Sequence, residues 1–241
     1  MGEKRAKELK LDEWVNPPYD YIRHNTEESL RTQEVVMVNS AKFSANRRSL
    51  YGFRRKVSKK LRLLGISYDL IGDNWKMSKK KEIRERIWAV RKELAAGNMP
   101  SLHEAFSDFF YNYPEYIGRV ENKIHKMSKY KYAIIIENEN DYISEKLFDA
   151  VAAGCVPIYV GASLNNYRKL SKCVIEFTTD SELIKYFFQN NQGSIYQQKK
   201  LYIDQESNYS EDLKPFSTEY ISKKLSEIIC RNYRENISSI F

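Results

Sequence analysis

The sequence predicts an α/β fold, a Rossmann-like parallel sheet with helices packed on it. Three observations predict it. Short aliphatic runs recur at "VVMVN", "ISYDLIG", "YAIIIEN" and "VPIYVG". Stretches of helical period separate them, and glycines fall at the joints.

The elements follow in order. "VVMVN" (35–39) is β-branched and reads as a buried strand. Leu50, Phe53, Val57, Leu61 and Leu64 form one stripe of a helix that Gly65 ends. "ISYDLIG" (66–72) gives the second strand and completes a βαβ unit. A second helix spans 79–96, capped by Ser78 and stopped by Gly97. Residues 101–130 read as helical or irregular. "YAIIIEN" is the third strand. "SEKLFDAVAAG" is a helix with Leu147, Ala150, Val151 and Gly154 on one side. "VPIYVG" is the fourth strand, where Pro157 is tolerated near the start. "CVIEF" (173–177) is a candidate fifth strand, and the tail alternates helical stretches with polar loops. The expected organisation is a linker or domain remnant over 1–34, a Rossmann-like unit over 35–205 and a helical tail over 206–241.

Composition narrows the function. A chain of 241 residues with 42% hydrophobic and 30% charged content reads as globular rather than disordered. A net charge of +8 suits anionic partners or simply solubility. Cys155, Cys173 and Cys230 show no CxxC pairing and read as reduced thiols. "MGEKRAKELKLDEW" lacks the apolar core of a signal peptide, and no run of 18 apolar residues occurs. These features suggest a cytoplasmic protein, and the positive charge suits peripheral contact with an acidic inner leaflet. The dinucleotide fingerprint, the P-loop and the D-x-D pair are all missing. The acidic cluster Glu137, Glu139 and Asp141 lacks the glycine and distal glutamate of a calcium loop, so no metal site is expected. The basic residues ring the first helix without a nucleic-acid recognition motif, so no nucleic-acid partner is expected.

The chemistry concentrates between the third and fourth strands. Ligands of doubly wound sheets bind outside the carboxyl ends of the strands. "ENENDYISEK" lies there. Lys146 stands in the first turn of a helix, where the positive end of the helix dipole disfavours it by about 0.3–1 kcal/mol. An anion bound at that helix end would make the lysine favourable, and phosphates bind there. Asn138 and Glu145 can hydrogen-bond sugar hydroxyls or a base, and Tyr142 offers a phenol. On the first helix, Arg54 flanks the apolar stripe on the sheet side, as does Arg47, while Arg55 and Lys59 face away. An arginine at that border can fork onto phosphate oxygens or snorkel over the core edge.

"YKYAIIIENENDYISEKLFDAVAAGCVPIYVG" resembles the donor-binding motif of the α1,3/α1,4-fucosyltransferases, glycosyltransferase family ten. The matching positions are Tyr130, Lys131, Tyr132, Glu137, Asn138, Tyr142, Ser144, Glu145, Lys146, Ala150, Gly154, Val156, Pro157 and Gly161. "RRKVSKKLRLLGISYDLIG" is similar to the family's stretch in which an arginine binds donor phosphate, and the spacing back from Leu61 places that role on Arg54.

The resemblance implies the C-terminal half of a GT-B glycosyltransferase with a truncated N-terminal domain. It implies GDP-fucose as donor, no required cofactor, and inverting transfer to a hydroxyl of a glycan acceptor such as a lipopolysaccharide or surface oligosaccharide. It puts Glu145 on the ribose, Glu137, Asn138 and Tyr142 around the donor, and Lys146 and Arg54 on the diphosphate as leaving-group stabilisers. In the family an N-terminal domain supplies the general base. Residues 1–34 are too few to build it, and none of Asp12, Glu13 and Asp20 can be assigned that role. A second reading therefore stands beside the transferase: a GDP-sugar-binding module that is inactive alone or needs an acceptor-domain partner.

Overall fold

The computed structural model describes residues 28–106, 109, 112–189, 192–205 and 210–238. Asp12, Glu13 and Asp20 lie outside the described residues. Six strands form one parallel sheet: β1 Gln33–Val38, β2 Asp69–Ile71, β3 Tyr116–Gly118, β4 Tyr130–Ile136, β5 Val156–Val160 and β6 Ile175–Glu176. Their order is β3-β2-β1-β4-β5-β6. The described helices in chain order are α1 Tyr51–Leu63, α2 Lys79–Ala95, α3 Leu102–Phe106, α4 Lys123–Met127, α5 Glu145–Ala152, α6 Asp180–Tyr186, α7 Gln192–Asp204, α8 Ser210–Leu213 and α9 Thr218–Ser238.

The doubly wound α/β expectation is met. Chain order runs outward from β1 to β3, then returns to β4 on the other side of β1. The sheet interior is apolar because both faces are covered: Val36, Met37 and Ala133 to Ile136 are fully buried. Val57 and Leu61 of α1 and Leu147, Ala150 and Val151 of α5 supply the facing layers. Phe148 of α5 meets Phe216 with ring centroids 4.6 Å apart, which draws part of the 206–241 segment onto the core. At the other end of the expected unit, Arg31 is buried and donates to Tyr130 O and Ala153 O, both at 2.8 Å. The chain thus joins the sheet before residue 35.

Several local expectations need correction. The second strand begins at Asp69, not 66, because Ile66 is taken up by the turn that closes α1. Its N–H donates to Leu61 O and that of Gly65 to Arg62 O, with Gly65 at φ 72°, a Schellman closure. Leu64 precedes that turn and is exposed. Arg47 precedes α1 and is exposed. Arg55 does not face away. It is 1% exposed, stacks on the Phe43 ring at 4.8 Å and donates to Lys42 O at 2.6 Å. The segment following β1 covers that side of the helix. β3 lies inside 101–130, where helical or irregular structure was expected, and it is the third strand in chain order.

A charged clamp ties α1 to α6. Lys56 donates to Asp180 Oδ1 at 2.9 Å and Lys60 bonds Oδ2. Burial raises the Asp180 carboxyl, but the bonds from Lys60 and Lys56 outweigh it and hold the group below the usual carboxylate range. A depressed folded-state pKa stabilises above the unfolded value and loses that contribution as pH falls through the folded one. Asp180→Asn is expected to cost about 1 kcal/mol at neutral pH, with the gap to the parent closing below about pH 4. Urea titrations of both proteins across that range measure it, and a gap that does not depend on pH would contradict the clamp.

Candidate functional site

The strand order reverses between β1 and β4, so their carboxyl ends form the switch-point crevice of the sheet. Asn39 follows β1 and is buried. Its Nδ2 donates to Ile136 O at 2.7 Å, and its Oδ1 accepts from Ile136 N–H at 3.3 Å. The side-chain amide thereby extends the pairing of β1 and β4 one step past the strands.

Arg54 reaches the same point from α1. Its Nε and Nη2 donate to Ile136 O at 3.0 and 2.7 Å, Nη1 to Ser40 O at 3.0 Å, and Nη2 to Asn138 Oδ1 at 2.9 Å. The Tyr51 ring covers its guanidinium at 4.6 Å. Arg54 is 1% exposed. Burial pulls its pKa down to about 10, against the attraction of Tyr51 and Glu137, so it stays charged near neutral pH. Its fork is engaged by the strand ends, and its place is beneath the crevice floor.

Glu137 is fully buried. Its Oε1 accepts from Ser144 N–H at 2.8 Å and its Oε2 from the Ser144 hydroxyl at 2.6 Å. This closes the loop from β4 to α5 into a ring. Burial raises the carboxyl, with Lys146, the Ser144 bonds and Arg54 opposing. Gly161, at the end of β5, roofs it: a Cβ there would come within 2.6 Å of Glu137 Cγ and overlap the Tyr159 hydroxyl. Gly161→Ala is therefore expected to destabilise by about 1–3 kcal/mol. Chemical denaturation tests this, and a neutral result would show that the loop yields freely.

The remaining predicted residues line the loop above. Asn138 and Tyr142 are half-buried, and Glu145 is exposed at the start of α5. Burial, Glu145 and Glu137 push the Tyr142 phenol up. Ser144 caps α5. Lys146 folds back over that cap, its Nζ 3.0 Å from Ser144 Oγ and 3.5 Å from Glu145 Oε1. Arg54 and Asn138 thus bond each other beneath the loop, while Glu137 bonds Ser144 and through it meets Lys146 at the rim.

Lys146 also lines a cleft of about 160 Å³ with Ser40, Asp73, Arg119 and Lys123. Arg119 Nε bonds Asp73 Oδ1 at 2.7 Å. Three cations face one carboxylate here, which suits an anionic ligand. Sequence reasoning did not find Arg119, Lys123 or Asp73. They follow β3 and β2, and β3 is only three residues long. Gly118, at φ 108° just before Arg119, was the available signal. Among the described residues no group of three His, Cys, Asp or Glu side chains is gathered as a metal site. No helix among them is long and apolar enough to cross a membrane.

Comparison with known proteins bears on this crevice. Residues 112–198 match the family described as "Glycosyltransferase family 10 (fucosyltransferase) C-term". The chain resembles glycosyltransferase family 10. Over 79 residues it is 38% identical to 4-galactosyl-N-acetylglucosaminide 3-alpha-L-fucosyltransferase 9 of Mus musculus, a match covering 30% of this chain and 22% of that protein. The Homo sapiens protein of that name is 37% identical over 79 residues, with the same coverage. A solved alpha1,3-fucosyltransferase with GDP-fucose aligns at 19% identity and a TM-score of 0.41, covering 72% of this chain and 40% of that one. The chain therefore spans about a fifth of the length of these curated relatives. The segment matching family 10 contains β3 to β6, the loop from Glu137 to Ser144, and Lys146, whereas Asn39, Arg54 and Asp73 lie before it.

Proposed function

We propose that this chain forms the donor-binding half of an inverting fucosyltransferase that uses GDP-fucose and transfers to a glycan hydroxyl, as on a lipopolysaccharide or surface oligosaccharide. The observation that carries the proposal is the cationic cleft beside the switch point, with Lys146, Arg119 and Lys123 around the ends of β1 to β3. A diphosphate placed there meets two kinds of positive potential, the side chains and the capped N-terminus of α5. As the bond to the sugar breaks, charge grows on the departing GDP, and fixed cations stabilise that charge more than the ground state. Glu145, exposed beside Lys146, is the group for ribose hydroxyls. Arg54 supports this work from below, fixing the strand ends on which the cleft is built. The general base belongs to the acceptor side. Peripheral contact with an acidic membrane surface is part of the proposal, since the donor half carries net positive charge.

Calorimetric titration with GDP and GDP-fucose, followed by assays for transfer and donor hydrolysis, tests the reading. Micromolar GDP binding with turnover is expected if the chain is competent alone. Binding without transfer or hydrolysis would favour the second reading, a GDP-sugar module completed by a partner. Absence of GDP binding would overturn both.

A further inference from the structure

We propose that Glu137 is a positioning residue that sets Lys146 through the Ser144 hydroxyl, an inference that rests on the GDP-sugar reading above. Glu137 has no exposed surface, so it does not touch a ligand. Its contacts instead point along a chain. Ser144, also buried, gives its backbone N–H to Oε1 and its hydroxyl proton to Oε2, at 2.8 and 2.6 Å. Ser144 Oγ then lies 3.4 Å from Lys146 N and 3.0 Å from Lys146 Nζ.

The direction of this chain follows from donor and acceptor chemistry. A serine hydroxyl has one proton and two lone pairs, and its proton can rotate. An ionised carboxylate only accepts, so Glu137 fixes the Ser144 proton on itself. Both lone pairs of Ser144 Oγ are then turned toward the two N–H donors of Lys146. One bond caps α5, and the other folds the lysine side chain back over the helix end and toward the cleft. Burial pushes the Glu137 carboxyl up, and Lys146, the two Ser144 bonds and Arg54 oppose it by favouring the ionised form that this arrangement uses. Gly161 packs against the Glu137 side chain, and the Tyr159 hydroxyl beside it donates to Tyr142 O at 3.3 Å.

The role is separable from mere packing by a double-mutant cycle on GDP affinity. Glu137→Gln keeps the shape beneath Gly161, but its amide N–H₂ donates to Ser144 Oγ and takes a lone pair from Lys146. The expected loss of GDP affinity is about tenfold in the parent chain, the value of a hydrogen bond to a charged group. In a Lys146→Ala background the same substitution should change affinity less than about twofold, because its effect passes through the lysine. Ser144→Ala, alone and with Lys146→Ala, should repeat the pattern and carries the test if Glu137→Gln does not fold. Equal losses in both backgrounds, or unaltered affinity in Glu137→Gln, would overturn the relay while leaving GDP binding intact. A parent chain that does not bind GDP would remove the donor reading itself.

Discussion

Arg54→Ala is expected to destabilise the fold by about 2–4 kcal/mol, from buried acceptors that lose a charged donor and from the void left behind. The side chain is 1% exposed and donates to Ile136 O, Ser40 O and Asn138 Oδ1. Truncation leaves those acceptors buried without their donors and opens a void below the crevice. Arg54→Lys should recover little, because an ammonium lacks the planar fork that serves two strand ends at once. Equilibrium unfolding in urea measures the loss. A cost below about 1 kcal/mol would mean that Arg54 is a ligand-facing cation instead, and GDP affinity would then carry the effect.

Lys146→Ala is expected to behave oppositely. The side chain is 16% exposed at the cleft rim, and the α5 cap uses the Lys146 backbone N–H, which donates to Ser144 Oγ and is kept in the variant. Stability should change by less than about 1 kcal/mol, while GDP affinity falls about 10- to 100-fold. The loss should shrink as ionic strength rises, since a partly exposed cation is screened. Unaltered affinity for GDP together with an intact circular dichroism spectrum would remove Lys146 from the donor site. The two variants thus divide a pair that looks equivalent in sequence: one is expected to lose stability, the other GDP affinity.

Much of this was legible before any coordinates. The stretch from β4 through α5 to β5 reads clearly because each boundary carries its own chemistry: an aliphatic run, a serine cap, a glycine closure and another run. Lys146 at the helix start pointed to the cleft it lines. Arg54 was found by periodicity, but periodicity could not show that its donors are engaged by backbone carbonyls. Arg55 was misplaced for a related reason. A helical stripe describes the side facing the sheet, whereas Phe43 and Lys42 cover Arg55 from a segment that no local pattern connects with it. β3 escaped because Tyr116 to Gly118 is too short to show alternation, and with it went Arg119 and Lys123. Glu137 was placed around the donor by resemblance, and no local pattern shows its burial against Gly161, 24 residues onward in the chain.

The sheet's two outer strands have a further consequence. β3 has three residues and β6 two, flanking a centre in which β4 has seven. An outer strand exposes a row of free N–H and C=O groups on which another chain can grow. Here those rows are cut to two or three residues, too short to template a neighbour's strand. The apolar centre of the sheet is thereby kept out of reach of lateral growth.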